Sequence, residues 1–157
     1  MNTTEEDFSA GLLHIFDNIV LTEEKALTKG YFEDLSVAEL HTLDAIGPYG
    51  EKTMTETATA LGITTGTLSV AIERLVRKGY VQRRKDERDR RIVRISLTRA
   101  GKLAYRMHAK FRTLLVRRIL EPLSEDQKEL LVHMVKNIDD FLEEQYKKYE
   151  EQDLRGR

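Results

Sequence analysis

Residues 53–98 read TMTETATALGITTGTLSVAIERLVRKGYVQRRKDERDRRIVRISLT, and the succession of patterns within them decides the fold. The second half of the first pattern, TTGTLSVAIERLVRKG from Thr64, places Leu68, Ala71, Ile72, Leu75 and Val76 at i, i+3, i+4, i+7 and i+8. That spacing makes one apolar stripe on a helix. The opposite face carries Thr65, Gly66, Thr67, Ser69, Val70, Glu73, Arg74 and Arg77, with no bulky hydrophobe among them. A face this short and polar suits entry into a groove lined by base edges. Gly79 stands where a helix closes with a left-handed residue.

Upstream, Thr53 and Glu56 form a T-x-x-E capping box that opens a short helix ending at Gly62,. Ile63 and Thr64 make the turn into the longer helix. A short helix, a glycine turn and a longer helix form a helix-turn-helix. Downstream, YVQRRK and RIVRISL read as strands, because Val93, Ile95 and Leu97 alternate with Ile92, Arg94 and Ser96,. DERDR forms the tip of the hairpin between them. The fold class that follows is mainly α with a small β-wing, a winged helix-turn-helix carrying further helices at both ends.

Those further helices are legible too. Residues 5–28 place Phe8, Leu12, Ile15, Phe16 and Ile19 at steps of three or four, and Gly30 offers an end,. Residues 36–46 begin with a Ser36/Glu39 capping box and bury Val37, Leu40, Leu43 and Ile46,. Gly47-Pro48-Tyr49-Gly50 then breaks the chain,. Thr98 caps a long helix with Leu103, Met107, Phe111, Leu114 and Leu115 on one side, and Pro122 stops it. Ser124 opens the last helix, with Leu130, Leu131, Met134, Val135, Ile138, Phe141 and Leu142 on a wide apolar face. The final YKKYEEQDLRGR is too polar to bury and is expected to fray,. A head of about 65 residues does not need the first and last helices for its own core. They are expected to pack against a second copy, because helix-turn-helix dimers address half-sites roughly 34–36 Å apart.

Composition bounds the function. The chain has 157 residues, 34% of them charged, and a net charge of −1 that conceals a strong asymmetry. Residues 1–62 carry three basic and twelve acidic side chains, residues 63–118 carry 17 basic and four acidic, and residues 119–157 carry six basic and eleven acidic. One positive band flanked by acidic ends is an electrostatic footprint for nucleic acid. The absence of cysteine removes disulfides, thiol redox sensing and thiolate metal sites together,. MNTTEEDF lacks the basic and apolar regions of a signal peptide, and no apolar run reaches the length of a membrane span, so a cytoplasmic protein is expected,.

Enzyme chemistry finds no support. There is no cysteine nucleophile, no G-x-S-x-G and no glycine-rich nucleotide fingerprint,. GPYGEKT at 47–53 has neither the glycine directly before its lysine nor the preceding buried strand of a phosphate loop, and reads as a turn,. Asp139-Asp140 and Glu143-Glu144 lie on the polar side of the last helix, as a solvated face does,. In isolation DERDRR would read the same way, but between two strands and after a capped helix pair it reads as a DNA-contacting wing,. His14, His41, His108 and His133 lack paired metal-ligand spacing,. Neither a metal nor any other cofactor is expected.

The stretch GITTGTLSVAIERLVRKGYVQRRKDERDRRIVRISLTRAGK resembles the MarR family of bacterial transcription regulators. Asp86-Glu87-Arg88-Asp89-Arg90-Arg91 matches the family's wing motif D-x-R-[D/N]-x-R, and Thr98 to Gly101 matches the LT-x-x-G that opens its fifth helix. The likeness extends over essentially the whole chain as a single domain. It implies a DNA-binding lobe at 34–99 and dimerisation helices at 5–29 and 100–150. IFDNIVLTEEKAL and LSVAELHTLDAIG further resemble the subgroup that represses fatty-acid-biosynthesis genes, in which acyl carrier protein bearing a long acyl chain is the corepressor.

The resemblance implies a homodimer on double-stranded DNA with a pseudo-palindromic operator, the groove-facing helix in the major groove and Arg88 in the adjacent minor groove. Asp86 and Arg91 would brace the wing. Thr65, Thr67, Ser69 and Arg74 are the candidates for base contacts, with Arg77, Arg83 and Thr53 on phosphates. Phe16, His41, Met107 and Phe111 are candidate lining residues for an effector. Metal-responsive relatives would place acidic and histidine residues at Glu24, His41 and His108, but Arg112, one turn on, disfavours a cation. Two alternatives stand beside the repressor: a regulator released by a small aromatic ligand, and a helical adaptor without DNA binding. The basic central band speaks against the second.

Overall fold

The computed structural model describes residues 2–28, 30 and 32–155. Among the described residues, six helices and three short strands follow in the order α1 (Thr3–Thr28), α2 (Val37–Ile46), β1 (Lys52–Thr53), α3 (Met54–Leu61), α4 (Thr65–Arg77), β2 (Val81–Lys85), β3 (Val93–Leu97), α5 (Arg99–Leu120) and α6 (Glu125–Arg155). Two compact units divide the chain, residues 1–110 and residues 111–157, with α5 running across the division.

The caps that set these boundaries are local. Ser36 Oγ accepts the Glu39 N–H while the Glu39 carboxylate accepts the Ser36 N–H, and Thr53 and Glu56 repeat the arrangement before α3. Each box satisfies two amide donors that a helix start would otherwise leave exposed. Thr64 Oγ1 accepts the Thr67 N–H at the start of α4. At its other end, the Gly79 N–H donates to Val76 O and the Tyr80 N–H to Leu75 O, with Gly79 at φ 81°. That pair of bonds is a Schellman closure, and the positive φ favours glycine.

In the first unit the core is the interior of the helix-turn-helix. Leu40, Leu43 and Ile46 of α2, Ala58 of α3, Leu68, Ile72 and Leu75 of α4, and Ile95 and Leu97 of β3 are all buried together. Within the α4 stripe Ala71 is half-buried and Val76 stays exposed, at the rim where the helix leaves the core. The sheet is antiparallel with order β1-β3-β2, and Val81, Arg83 and Lys85 pair with Leu97, Ile95 and Val93. β1, two residues long, was hidden because no alternation can be read in two positions; Lys52 and Thr53 pair with Ile95 and Arg94.

The start of α5 locks onto the end of α4. Thr98 Oγ1 donates to Gly79 O at 2.6 Å and accepts the Gly101 N–H at 3.1 Å. A Cβ added at Gly101 would lie 2.1 Å from the Tyr80 carbonyl oxygen. The threonine and glycine of LT-x-x-G are therefore required by one close contact.

In the second unit, Ser124 caps α6 with Gln127 in its own reciprocal box. α6 continues to Arg155, through most of the tail expected to fray. A Lys147–Glu143 pair one turn apart supports the helix there, as i,i+4 pairs do,. Gly156 and Arg157 lie outside the described residues. No helix among the described residues is long and apolar enough to cross a membrane.

Candidate nucleic-acid interface

The polar face of α4 is presented outward. Thr65, Thr67, Val70, Glu73, Arg74 and Arg77 are exposed and Ser69 is half-buried. The Thr67 hydroxyl shares a 2.9 Å hydrogen bond with the Thr64 hydroxyl, which fixes the first turn. Arg83 of β2 donates to the Ser69 carbonyl oxygen at 3.2 Å, so this side chain ties the sheet to α4. Thr53, in β1, accepts from Glu56 N and donates its hydroxyl to the Glu56 carboxylate.

The wing is organised by Asp86. Its Oδ1 accepts the backbone N–H groups of Arg88 (2.8 Å) and Asp89 (3.2 Å), while Oδ2 holds the Arg94 guanidinium. The Arg94 bond and the two amides lower the Asp86 pKa to about 2, so the carboxylate persists at any ordinary pH,. Arg91 contributes its backbone N–H, to Asp89 Oδ1, and its side chain is exposed. The brace thus uses Arg94 in the guanidinium role that the motif suggested for Arg91. Arg88 stands exposed at the tip.

Beneath the head lies a buried polar cluster. His108 of α5 places Nε2 2.7 Å from Glu23 Oε1 of α1 and Nδ1 2.8 Å from Asp44 Oδ2 of α2. A carboxylate on each ring nitrogen favours the imidazolium, and the Asp44 bond leads in raising the His108 pKa against the opposing effect of burial,. His41 Nε2 is 3.6 Å from Glu23 Oε2. Ligand atoms of Glu23, His41 and His108 all lie within 4.8 Å of one another, but both nitrogens of His108 are already taken by carboxylates. The acid of α1 in this cluster is Glu23; Glu24, the residue considered from the sequence, is exposed. Helical geometry explains the shift, since Glu23 follows half-buried Ile19 by four residues and shares its face,.

Of the residues considered as effector lining, Phe16 and Met107 are exposed, His41 belongs to this cluster, and Phe111 lies in the second unit. The contributions of Glu23, Asp44 and Arg94 had no motif to announce them. A buried acid on an apolar helix face was the one available signal for Glu23.

A model of the MarR family matches residues 33–92. The structure is similar to that of Streptococcus pneumoniae FabT in complex with DNA, with a TM-score of 0.81 and 34% identity, covering 89% of this chain and 98% of that one. It shares its fold with the S. aureus MepR–DNA complex (TM-score 0.68, 22% identity, 86% of this chain and 97% of that one). The same holds for AbsC, a MarR family transcriptional regulator from Streptomyces coelicolor (TM-score 0.72, 24% identity, 91% and 97%). No curated protein sequence matches the chain. Its capped helix pair, its Asp86-centred wing and these likenesses lead to one conclusion: the chain belongs to the MarR family of winged helix-turn-helix DNA-binding transcription regulators, and is not an enzyme.

Proposed function

We propose that this regulator is a homodimeric repressor of fatty-acid-biosynthesis genes, with acyl carrier protein bearing a long acyl chain as its corepressor. The observation that carries the reading is the likeness to FabT on DNA, at 34% identity over 98% of that chain. The upstream stretches IFDNIVLTEEKAL and LSVAELHTLDAIG support the same subgroup.

In this reading α4 lies in the major groove, with Thr65, Thr67, Ser69 and Arg74 toward the bases. Arg88 enters the narrow minor groove, where negative potential is concentrated. Arg77, Arg83 and Thr53 contact phosphates, and Asp86 holds the wing through Arg94, with Arg91 adding only its backbone N–H. Residues 34–99 form the reading lobe. The exposed apolar residues of α1, α5 and α6, among them Phe8, Leu114, Leu130 and Phe141, meet a second copy,. The dimer then spans a pseudo-palindrome. Phe16, His41 and Met107 are the side chains assigned to the acyl chain. The effector acts by binding the DNA-competent dimer more tightly than the incompetent one.

The test is a fluorescence-anisotropy titration on promoter duplexes of fatty-acid elongation genes, with acylated carrier protein, unacylated carrier protein or salicylate added. Tightening by the acylated form alone supports the proposal. Release by salicylate replaces it with a regulator that senses aromatic ligands. Affinity falls linearly in log–log form with salt, and Arg88→Ala costs on the order of tenfold.

A further inference from the structure

We infer that Glu51, in the turn between α2 and β1, is a positioning residue for the wing. By neutralising Arg84 it lets two opposed arginines share one face of the sheet, and so sets the attitude in which the wing offers Arg88. The inference deepens the proposed DNA reading and rests on it for the role of Arg88.

The register makes the problem visible. Arg84 of β2 lies directly opposite Arg94 of β3, and Thr53 of β1 flanks Arg94 on its other side. Directly opposed residues have Cβ atoms about 5 Å apart, and like charges in that relation repel. Each arginine has an acid of its own. Asp86 takes Arg94, and Glu51 takes Arg84, 33 residues further along the chain. Glu87 also approaches Arg84, at 3.6 Å, but its side chain is 91% exposed against 26% for Glu51. An exposed ion pair contributes little, so Glu51 is the counter-charge that matters.

Glu51 is held from outside the wing. Gly47 and Gly50, at φ 77° and 71°, bend the turn, and the Lys52 ammonium ties it to the Ala45 carbonyl oxygen of α2 at 2.8 Å. The GPYGEKT turn therefore delivers a fixed carboxylate to the wing. Its influence passes from Arg84 to Arg94, from Arg94 to Asp86, and from Asp86 to the amides of Arg88 and Asp89.

Charge and position give opposite expectations, which makes the idea testable. Removing an acid from a DNA-facing protein should by Coulomb attraction alone tighten its hold on any duplex. Loss of positioning should weaken the specific complex. Glu51→Gln, Arg88→Ala and the double variant are titrated against a duplex selected by the wild-type protein from a random pool, and against a scrambled duplex of equal composition. Glu51→Gln is expected to weaken the selected complex on the order of tenfold, leave the scrambled one unchanged or tighter, and have no further effect once Arg88 is alanine.

Equal or tighter binding of the selected duplex by Glu51→Gln overturns the inference, as does an undiminished loss in the Arg88→Ala background. If Arg88→Ala alone changes nothing, the minor-groove reading fails instead. Amide exchange then decides the position of the wing without DNA. Faster exchange at Arg88 and Asp89 in Glu51→Gln, with α4 unchanged, supports Glu51, and unchanged exchange at both overturns it.

Discussion

Leu68, Ile72 and Leu75 of α4 are wholly buried by their own chain, whereas Leu130, Val135 and Phe141 of α6 stand more than half exposed. Both helices carry apolar stripes of helical period, so the difference is not one of pattern. It is one of length and partners. α4 has 13 residues between a threonine cap and a glycine closure, and α2, α3 and the sheet cover it. α6 has 31 residues, and at about 1.5 Å per residue it runs well past any core of this size. The head satisfies itself, while the long helices carry apolar surface of the kind that marks an interaction site.

The largest expected effect comes from attacking the open side of that comparison. Ile138→Asp with Phe141→Asp on α6 places two charges on the exposed apolar face. If that face joins two copies, sedimentation finds single subunits, and operator affinity falls on the order of 1,000-fold because one reading head cannot hold both half-sites. An intact dimer after this change would show that the exposed face serves something else.

His108 tests the base of the head. His108→Ala removes the imidazolium that bridges Glu23 and Asp44 in the interior, at a cost of about 3 kcal/mol in denaturant melts. The pKa of His108 is raised in the folded state, so its contribution is complete below the unfolded value of about 6.5 and is lost as pH rises through the higher folded value,. Wild-type stability should therefore decline as pH rises above about 6.5,, and this component should be absent from the variant.

The smallest effect sharpens the closed side. Gly101→Ala sets a methyl group against the Tyr80 carbonyl, and the α4–α5 junction must shift. The cost is about 2 kcal/mol, read as a lower melting temperature with the oligomeric state unchanged.

How legible the molecule was varied with the distance over which each feature acts. Both expected capping boxes and the glycine closures after α3 and α4 appear as read, because each involves residues three to five apart. The wing hairpin was readable from alternation, and Arg88 at its tip from a motif. The partners were not. Arg94 was read only as one of the alternating residues of a strand, and the bond from Arg83 to the Ser69 carbonyl of α4 had no local signal. The misplacement of the α1 acid by one position has the same origin, since only the packing of α1 on α2 and α5 selects which of two adjacent glutamates turns inward.

From residues alone came the helix boundaries other than the C-terminal end of α6, the helix-turn-helix with its wing, the basic central band and the absence of cysteine chemistry, all of which rest on local hydrogen bonding, side-chain period or simple counting. Tertiary structure decided that His108 joins Glu23 and Asp44, that Asp86 holds Arg94, and that a turn before β1 lends Glu51 to Arg84. Three of these contacts bridge sequence separations of 85, 64 and 33 residues. Charges so far apart in the chain have no period to betray them, and only the docking of helices and the strand register bring them within a hydrogen bond.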